Sequence, residues 1–265
     1  MTHRILPCLI LVLTVTLITC GCSDDTTTPG GTGTLRLTLV DSPVDFDDVT
    51  LDVRATRVHR SDEDSLGGWH LVSTDSMVVH LLDLTNGVSA LLADADLPAG
   101  TYDQIRLRLG DGNTVTVDGV EHELRVPSGQ RSGLKIHHTF EITDGEIYEA
   151  TVDIDASRSV HQNGHGQYMM RPVIRVRADA LCGRIIGAVD PIEAAALIWT
   201  IAGEDTVQTF ADPVTGRFML VALPAGVYDL TVTPTSGDWL EKLLTDVEVV
   251  VGTTNDVGTV TLDLP

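Results

Sequence analysis

A six-residue segment occurs twice in this chain, as LPAGTY at residues 97–102 and as LPAGVY at residues 223–228. Each copy follows an apolar segment and leads into one in which apolar and polar residues alternate. Pro fixes φ at the first position of a turn, and Gly adopts a left-handed φ without steric cost, so each copy predicts a turn that feeds a half-buried strand. The repeat indicates two related β units, in which we expect Tyr102 and Tyr228 to pack against their turns.

Short alternating segments and turn signals surround both copies. Residues 49–58 alternate until a change of parity near Thr56, which predicts a β-bulge, and residues 77–92 fit a strand followed by one short helical turn. The sequences DGN at 111–113 and DG at 118–119 predict tight hairpins, and residues 168–178 read as one strand. Many short strands with few helical windows predict an all-β fold of two tandem β-sandwiches of the immunoglobulin-like kind, of which the first is larger.

A boundary between the two units is expected at Cys182-Gly183. Residues 183–191 repeat the outline of residues 33–43: a Gly, an apolar strand, an Asp and a Pro. We therefore predict one β-sandwich domain over residues 34–179 and a smaller one over residues 183–263. Residues 194–199 are expected to form a strand that is buried on both faces, with Trp199 in the core.

The amino terminus has the pattern of an export signal. An apolar run over residues 5–19 follows Arg4 and leads into Cys20-Gly21-Cys22. The run is too short to span a bilayer comfortably, and a Cys directly after it is typical of a lipoprotein signal. We predict a signal over residues 1–22 with the lipid on Cys22. The alternatives are lipid on Cys20, which has the better apolar residue three positions before it, and an ordinary secretory signal with incidental cysteines.

Residues 23–33 contain almost nothing to bury, so they are predicted to form a flexible tether. The expected location is therefore outside the cytoplasm, in the periplasm or on the cell surface, with the protein held to a membrane by its lipid. Cys182 would be the one cysteine outside the signal and the lipid site, and it reads as a small filler between the domains. If Cys20 carries the lipid instead, a bridge from Cys22 to Cys182 is conceivable.

The charge restricts the partners that this chain can bind. With 17 basic and 38 acidic residues, its net charge is -21 at neutral pH. Nucleic acid and anionic lipid are disfavoured as partners, because both are bound through positive surface that releases counterions. The expected partners are the membrane, through the lipid anchor, and a glycan or another envelope protein.

Several short motifs occur in order along each unit. The first unit contains GTL at 33–35, DSP at 41–43, VH at 58–59, LPAGTY with QIRL at 104–107, VPSG at 126–129, GLK at 133–135 and RPVIRV at 171–176. Through these motifs, residues 33 to about 178 resemble the family described as domain of unknown function 4382, which is found in exported prokaryotic lipoproteins. The second unit contains GRI at 183–185, GRF at 216–218 and LPAGVY, and residues 183–263 look like the carboxypeptidase regulatory-like (transthyretin-like) β-sandwich. The first family implies location and fold but no catalytic residues, and sandwiches related to the second are often described as having a carbohydrate-binding-like fold.

Carboxylates form the best candidate constellation for chemistry. Ca²⁺ takes six to eight oxygen ligands, and the loops of a sandwich can supply them. The candidates share one loop and one face of a strand: Asp41, Asp45, Asp47 and Asp48 in the loop, with Asp153 and Asp155 on the strand. The regular calcium-loop spacing is missing, so solvated loop ends and turn-forming aspartates are the alternative.

The sequence as a whole favours a protein that is not an enzyme. It contains neither the His-Glu-x-x-His spacing of zinc proteases nor the Gly-x-Ser-x-Gly turn of hydrolases. We predict a cell-envelope lipoprotein that acts as a binding or structural surface module and requires no cofactor. The alternatives are a carbohydrate-binding module, for which Trp239 is the candidate aromatic residue, and a protein that binds a divalent cation such as Ca²⁺.

Overall fold

A computed structural model describes residues 30–42, 46–63, 67–127, 129 and 132–265 of this chain. Strand accounts for 63% of the structure and helix for 6%, so the predicted all-β sandwich fold is confirmed. Cys20, Cys22, most of the predicted tether and Asp45 lie outside the described residues. In the described part, no helix is long and apolar enough to cross a membrane.

The described residues of the first unit form thirteen strands. They pack as a four-stranded sheet in the order β13-β10-β1-β5 against a nine-stranded sheet whose main path is β11-β12-β8-β7-β2-β6-β9, with β3 and β4 also paired to β2. The strands are β1 (Thr32–Ser42), β2 (Asp48–Arg60), β3 (Trp69–Ser73), β4 (Met77–His80), β5 (Ala90–Pro98), β6 (Gly100–Leu109), β7 (Thr114–Val117), β8 (Val120–Arg125), β9 (Leu134–Ile142), β10 (Ile147–Asp155), β11 (Val160–Gln162), β12 (Tyr168–Met170) and β13 (Ile174–Ala178).

The second unit is smaller and has seven strands. Its two sheets have the orders β17-β14-β20 and β16-β15-β18-β19. The strands are β14 (Cys182–Asp190), β15 (Leu197–Ala202), β16 (Asp205–Phe210), β17 (Arg217–Pro224), β18 (Gly226–Thr233), β19 (Lys242–Val249) and β20 (Thr254–Thr261). Short helical turns occur at Leu81–Leu84, Ala156–Ser159, Asp179–Leu181 and Ile192–Ala194.

Each unit has its own hydrophobic core. The first core is formed by buried side chains between Leu35 and Met170, and the second by those between Ile185 and Leu262. Successive side chains of a strand point to opposite faces of the sheet. In both units the apolar residues of an alternating segment therefore lie on the inner face, where burial of apolar surface stabilises the fold.

The two copies of the repeated segment occupy the same place in the two units. β1 pairs in parallel with β10 and antiparallel with β5, just as β14 pairs in parallel with β20 and antiparallel with β17. The register also agrees, since Gly33 lies opposite Leu97 and Gly183 lies opposite Leu223. The repeat therefore extends from the sequence to the pairing of the strands.

Both opening glycines stand where no side chain fits. A Cβ atom on Gly33 would lie 2.2 Å from the Thr143 carbonyl oxygen, and one on Gly183 would lie 2.4 Å from the Val250 carbonyl oxygen. Real Cβ atoms do not approach backbone this closely. Only glycine therefore lets the connection between β9 and β10 pack against β1, and the connection between β19 and β20 pack against β14.

A tyrosine closes the turn in both copies. The hydroxyl of Tyr102 donates a hydrogen bond to the Pro98 carbonyl at 2.9 Å, and that of Tyr228 donates one to the Pro224 carbonyl at 2.7 Å. Tyr102 is fully buried and stacks on Phe140, whereas Tyr228 is partly buried against the second core. The expectation that these rings pack against their turns agrees with this geometry, which adds a hydrogen bond to the packing.

The structure corrects the expected hairpin at 111–113. β6 and β7 do not pair with each other; both pair antiparallel with β2 and follow each other along it. The loop between them is fastened to β2, because the Asn113 Oδ1 accepts a hydrogen bond from the Asp52 amide at 3.0 Å and the Asp52 carboxylate accepts one from the Gly112 amide at 3.3 Å. The DG sequence at 118–119 does form a hairpin, with Val117 opposite Val120.

Two other expectations need correction. Residues 168–178 form two strands in different sheets rather than one, because they are separated by Pro172, which has no amide hydrogen to donate to a ladder. β15 is buried on one face only: Ile198 is fully buried, whereas Trp199 is partly exposed and donates its indole hydrogen to the Thr233 hydroxyl at 3.1 Å. Trp199 is therefore not a core residue.

Other local features follow the sequence closely. The pairing of β2 with β3 shifts register between Thr56 and Arg57, where the bulge was expected, and β4 runs into a 3-10 turn at Leu81–Leu84. The predicted tether overlaps the fold, since Thr32 and Gly33 already belong to β1.

Replacing Tyr102 with Phe should lower the free energy of unfolding by about 1 kcal/mol, because the ring keeps its packing and the turn loses one hydrogen bond. Tyr228→Phe should cost less, since that hydroxyl is more exposed. Urea unfolding of both variants tests this expectation, and a Tyr102→Phe variant as stable as the original chain would contradict it.

Candidate functional site at the junction of the two units

The last strand of the first unit carries an arginine that joins both units. Arg175 on β13 donates a hydrogen bond to Asp155 Oδ2 at 2.8 Å, and its Nη1 lies 3.6 Å from Asp153 Oδ2. Across the junction it donates to the Thr206 carbonyl at 2.7 Å. The Arg175 side chain is 9% exposed and that of Asp155 4%, so this ion pair is largely shielded from water.

A second arginine, two residues further along β13, repeats the arrangement. Arg177 donates to Asp205 Oδ2 at 3.1 Å and to the Ala222 carbonyl at 3.1 Å, and both of these acceptors belong to the second unit. Asp205 also lies 3.8 Å from the Arg175 Nε. Because a strand places residues i and i+2 on the same face, the two guanidinium groups lie side by side. Removing Arg175 or Asp155 would leave a buried charge uncompensated, whereas Asp205 is 38% exposed and its ion pairs are partly screened by water.

Asn86 fastens the first unit to an edge strand of the second. Its side-chain carbonyl accepts a hydrogen bond from the Met219 amide at 2.6 Å, and its side-chain amide donates to the Arg217 carbonyl at 2.9 Å. Its own backbone amide donates to the Thr209 hydroxyl at 3.1 Å. The carboxamide thus replaces the peptide group of a neighbouring strand along β17, and it covers backbone groups that would otherwise be unpaired at a sheet edge.

A cavity of about 310 Å³ lies between the units. Both units contribute to its lining, among other residues with Thr38, Thr151, Cys182, Arg184, Met219 and Thr253. Cys182 is the free cysteine of the described chain and is buried, and this burial raises the pKa of its thiol, with Arg177 acting in the opposite direction. A thiol with a raised pKa carries little thiolate at neutral pH and is a poor nucleophile.

The carboxylates proposed as calcium ligands contact donors of the protein itself. Asp41 accepts a hydrogen bond from the Ala156 amide at 3.2 Å, and Asp155 caps the same short helix through the Arg158 amide at 3.1 Å. Asp153 lies beside Arg175, as described above. In the pairing of β1 with β10, Asp41 lies opposite Ile154, so its side chain is on the other face of the sheet from those of Asp153 and Asp155. Asp41 and Asp155 are buried.

Asp47 and Asp48 lie elsewhere, at the start of β2. Asp47 accepts from the Gly119 amide at 2.7 Å, and Asp48 lies 2.7 Å from the His80 Nδ1. The hydrogen bond to Asp48 raises the pKa of His80. Within the described residues, no three His, Cys, Asp or Glu side chains are grouped so that they could hold a metal ion. Because Asp45 lies outside these residues, the calcium site stays an untested prediction.

The aromatic residue proposed for sugar binding is partly buried. Trp239 packs against the second core, and its Nε1 lies 2.8 Å from the position that a Cβ on Gly237 would take. The turn at Gly237 thus folds onto the indole edge. The structure leaves glycan binding by Trp239 as a prediction.

The residues that build the junction were not identified from the sequence. A signal existed for the arginines, because Arg175 and Arg177 alternate with apolar residues directly before the predicted boundary and must share one face of a strand. A signal for Asn86 is its Asn-Gly sequence, which is typical of turns, and Asn86 does adopt a left-handed φ of 60°. Neither signal indicates the partner in the second unit.

Fold and junction together define a class: an all-β protein of two sandwich units whose buried charges join the units. The chain belongs to the family described as a domain of unknown function (DUF4382), whose family model matches residues 32–172, more than half of its length. The predicted resemblance of the first unit is therefore confirmed. The search of curated proteins finds no match.

Solved structures with similarity to this chain come from several bacteria. A cohesin and X-module–dockerin complex from Acetivibrio cellulolyticus is 17% identical, with 30% of this chain and 56% of that chain covered and a TM-score of 0.24. The minor pilin GBS52 from Streptococcus agalactiae is 12% identical, with 87% and 96% covered and a TM-score of 0.26. The Bacillus anthracis TIE protein is 12% identical, with a TM-score of 0.22; the alignment covers 88% of this chain but only 34% of that one.

Replacing Arg175 with Gln should lower the free energy of unfolding by about 3 kcal/mol, because Asp155 and Asp153 would lose their buried counter-charge. The matched control is Arg171→Gln, which removes an exposed arginine shortly before β13 and should change stability by less than about 0.5 kcal/mol. Chemical denaturation measures both, and equal losses in the two variants would contradict a special role for Arg175.

Proposed function

We propose that this protein is a non-catalytic module of the cell envelope, anchored to a membrane by lipid on Cys22, with two β-sandwich domains at residues 34–179 and 183–263 acting as one body. The observation that carries this proposal is the set of contacts that Arg175 and Arg177 make: they bind Asp153 and Asp155 of the first unit and also Asp205 and two backbone carbonyls of the second. If the two domains keep one relative position, they present a single rigid surface to other components of the envelope.

The state of the carboxylates supports a structural role. A general acid or base must reach the proton that it transfers, so its side chain needs access to a substrate. Asp155 is 3% exposed and accepts hydrogen bonds from Ser157, Arg158 and Arg175. Asp41 is 6% exposed and holds the amide of Ala156. Both groups stabilise the meeting point of β1, β10 and the short helical turn that follows β10.

The equivalent strand registers support the second domain. Because β14, β17 and β20 repeat the pairing of β1, β5 and β10, we propose that residues 183–263 are a carboxypeptidase regulatory-like sandwich of shared ancestry with the core of the first domain. Strands β7, β8, β11 and β12 follow the repeated turn and extend the larger sheet of the first domain, and β13 adds a fourth strand to its smaller sheet.

The anchor is supported by the sequence and by where the fold begins. Within the described residues the first strand, β1, begins at Thr32, which is ten positions after Cys22 in the sequence, so about nine residues lie between them. A chain of this length reaches roughly 30 Å when extended. The modules would therefore lie close to the membrane surface, within reach of other envelope components.

Metabolic labelling with an alkyne analogue of palmitate tests the anchor in a bacterial host that processes lipoproteins. The original chain should be labelled and found with the membranes, Cys22→Ala should lose the label, and Cys20→Ala should keep it. Cys182→Ala serves as the control for labelling of an unrelated cysteine.

Two outcomes would contradict this assignment. Loss of label in Cys20→Ala but not in Cys22→Ala would move the lipid to the alternative position. Absence of label in the original chain, with the protein released into the soluble fraction, would favour an ordinary secretory signal.

A further inference from the structure

Four basic side chains lie together on the outer face of the nine-stranded sheet. Arg57 on β2 stands opposite Arg106 on β6, and Arg106 stands opposite Lys135 on β9, while Arg108 follows two residues along β6. Their strand neighbours Val58, Ile105 and Ile136 point into the core, so the basic residues share the outer face. We call Arg57, Arg106, Arg108 and Lys135 the basic patch.

The sheet fixes the spacing of these charges. Neighbouring strands are about 4.8 Å apart, so the row across β2, β6 and β9 spans about 10 Å, and residues two apart along a strand are separated by about 7 Å. The patch is therefore a small, dense array of positive charge on the face of the sheet.

No carboxylate of the described residues forms an ion pair with the basic patch. The ion pairs among the described residues all use cations outside the patch. These cations are Arg36, Arg54, Arg60, Arg125, Arg175, Arg177, Lys242 and three histidines. His59, at the border of the patch, is paired with Asp103 at 2.9 Å. In a chain with 38 acidic residues and a net charge of -21, four neighbouring cations without a paired carboxylate stand out against their surroundings.

The central arginine is held in place rather than mobile. The guanidinium carbon of Arg106 lies 3.6 Å from the ring centroid of Trp69, and its Nη2 donates to Gln104 Oε1 at 3.3 Å. Gly133 packs against its stem, since a Cβ there would lie 2.6 Å from the Arg106 Cγ. Partial burial lowers the pKa of Arg106, and the charge of Arg57 lowers it further.

This arrangement has a cost in the free protein. Like charges directly opposite each other on neighbouring strands are destabilising, and Arg57 and Arg106 form such a pair. An anion bound between them would relieve the repulsion, and guanidinium groups bind carboxylate and phosphate with two parallel hydrogen bonds.

We propose that the basic patch is the docking site for a slender anionic polymer that carries carboxylate or phosphate groups at intervals of about 5–7 Å, the spacing that the sheet sets for the cations. The inference goes beyond the proposed function, because it names a partner class and does not depend on the lipid anchor.

The negative net charge of the molecule favours a narrow anionic partner over one that presents a broad anionic surface. Electrostatic forces are screened over about 8–10 Å at physiological ionic strength. A narrow polymer can contact the patch while staying more than this distance from most of the acidic surface. An anionic bilayer or a second copy of this chain, also at -21, would bring much more negative charge against that surface and be repelled.

Calorimetric titration of the full chain in neutral detergent tests the proposal, with a galacturonate oligomer as the carboxylate probe and linear polyphosphate as the phosphate probe. Binding of at least one probe is expected at low ionic strength. The double variant Arg57→Gln/Arg108→Gln should weaken this binding roughly tenfold. The salt dependence of log K should also become shallower, by about 0.7 per lost contact if the value for single-stranded nucleic acids applies.

The matched control is Arg125→Gln/Arg171→Gln, which changes the net charge by the same amount at exposed positions outside the patch. It should keep the affinity within about twofold, and circular dichroism should show both double variants folded. The proposal is overturned if neither probe binds the original chain, if both double variants lose affinity equally, or if vesicles of anionic lipid bind the chain while neither polymer does.

Discussion

The buried ion pair between Arg175 and Asp155 is the interaction on which the arrangement of this protein depends. Asp155 ends β10, caps the short helical turn that follows, and accepts the guanidinium of the last strand in the first unit. The same guanidinium reaches the Thr206 carbonyl in the second unit. A buried charge without its partner costs several kcal/mol. Loss of Arg175 would therefore disturb the Asp155 helix cap, the edge strand β13 and the contact with Thr206 together. Asn86 adds a neutral connection at a different edge, so the junction rests on two kinds of hydrogen bond.

The fold distributes the charges of this acidic chain unevenly between its interior, its surface and the basic patch. Part of the negative charge lies inside the fold. The buried carboxylates of Asp41, Asp52 and Asp155 each accept hydrogen bonds from donors of the same chain. The remaining surface is acidic and would repel polyanions in general, except at the basic patch, where four cations have no paired carboxylate among the described residues. Net charge therefore describes long-range repulsion, whereas the sheet decides which charges a partner meets at contact. The inference that large polyanions are disfavoured and the proposal of a slender anionic partner are compatible for this reason.

Sequence reasoning was successful where the determinants are local and failed where they are not. The repeated turn, the bulge near Thr56 and the helical turn after β4 depend on neighbouring residues, and all could be predicted. The role of the loop at 111–113 depends on Asn113 reaching Asp52, far away in the sequence, so the local signal for a hairpin was misleading. The candidate calcium ligands show why contacts must be known: Asp48 lies beside His80, and Asp41 accepts a hydrogen bond from the Ala156 amide, while calcium binding itself stays a prediction. The alternating arginines were visible, but their partners across the junction could not be known before the units were placed.

Differential scanning calorimetry of the full chain tests the central claim most directly, because it asks whether the two units unfold together. A junction held by the hydrogen bonds of Arg175, Arg177 and Asn86 to the second unit predicts one cooperative transition, with equal calorimetric and van't Hoff enthalpies, for the original chain. The double variant Arg175→Gln/Arg177→Gln should separate this transition into two, one for each hydrophobic core. Two independent transitions in the original chain, unchanged in the double variant, would contradict the claim that the junction makes the two units one body.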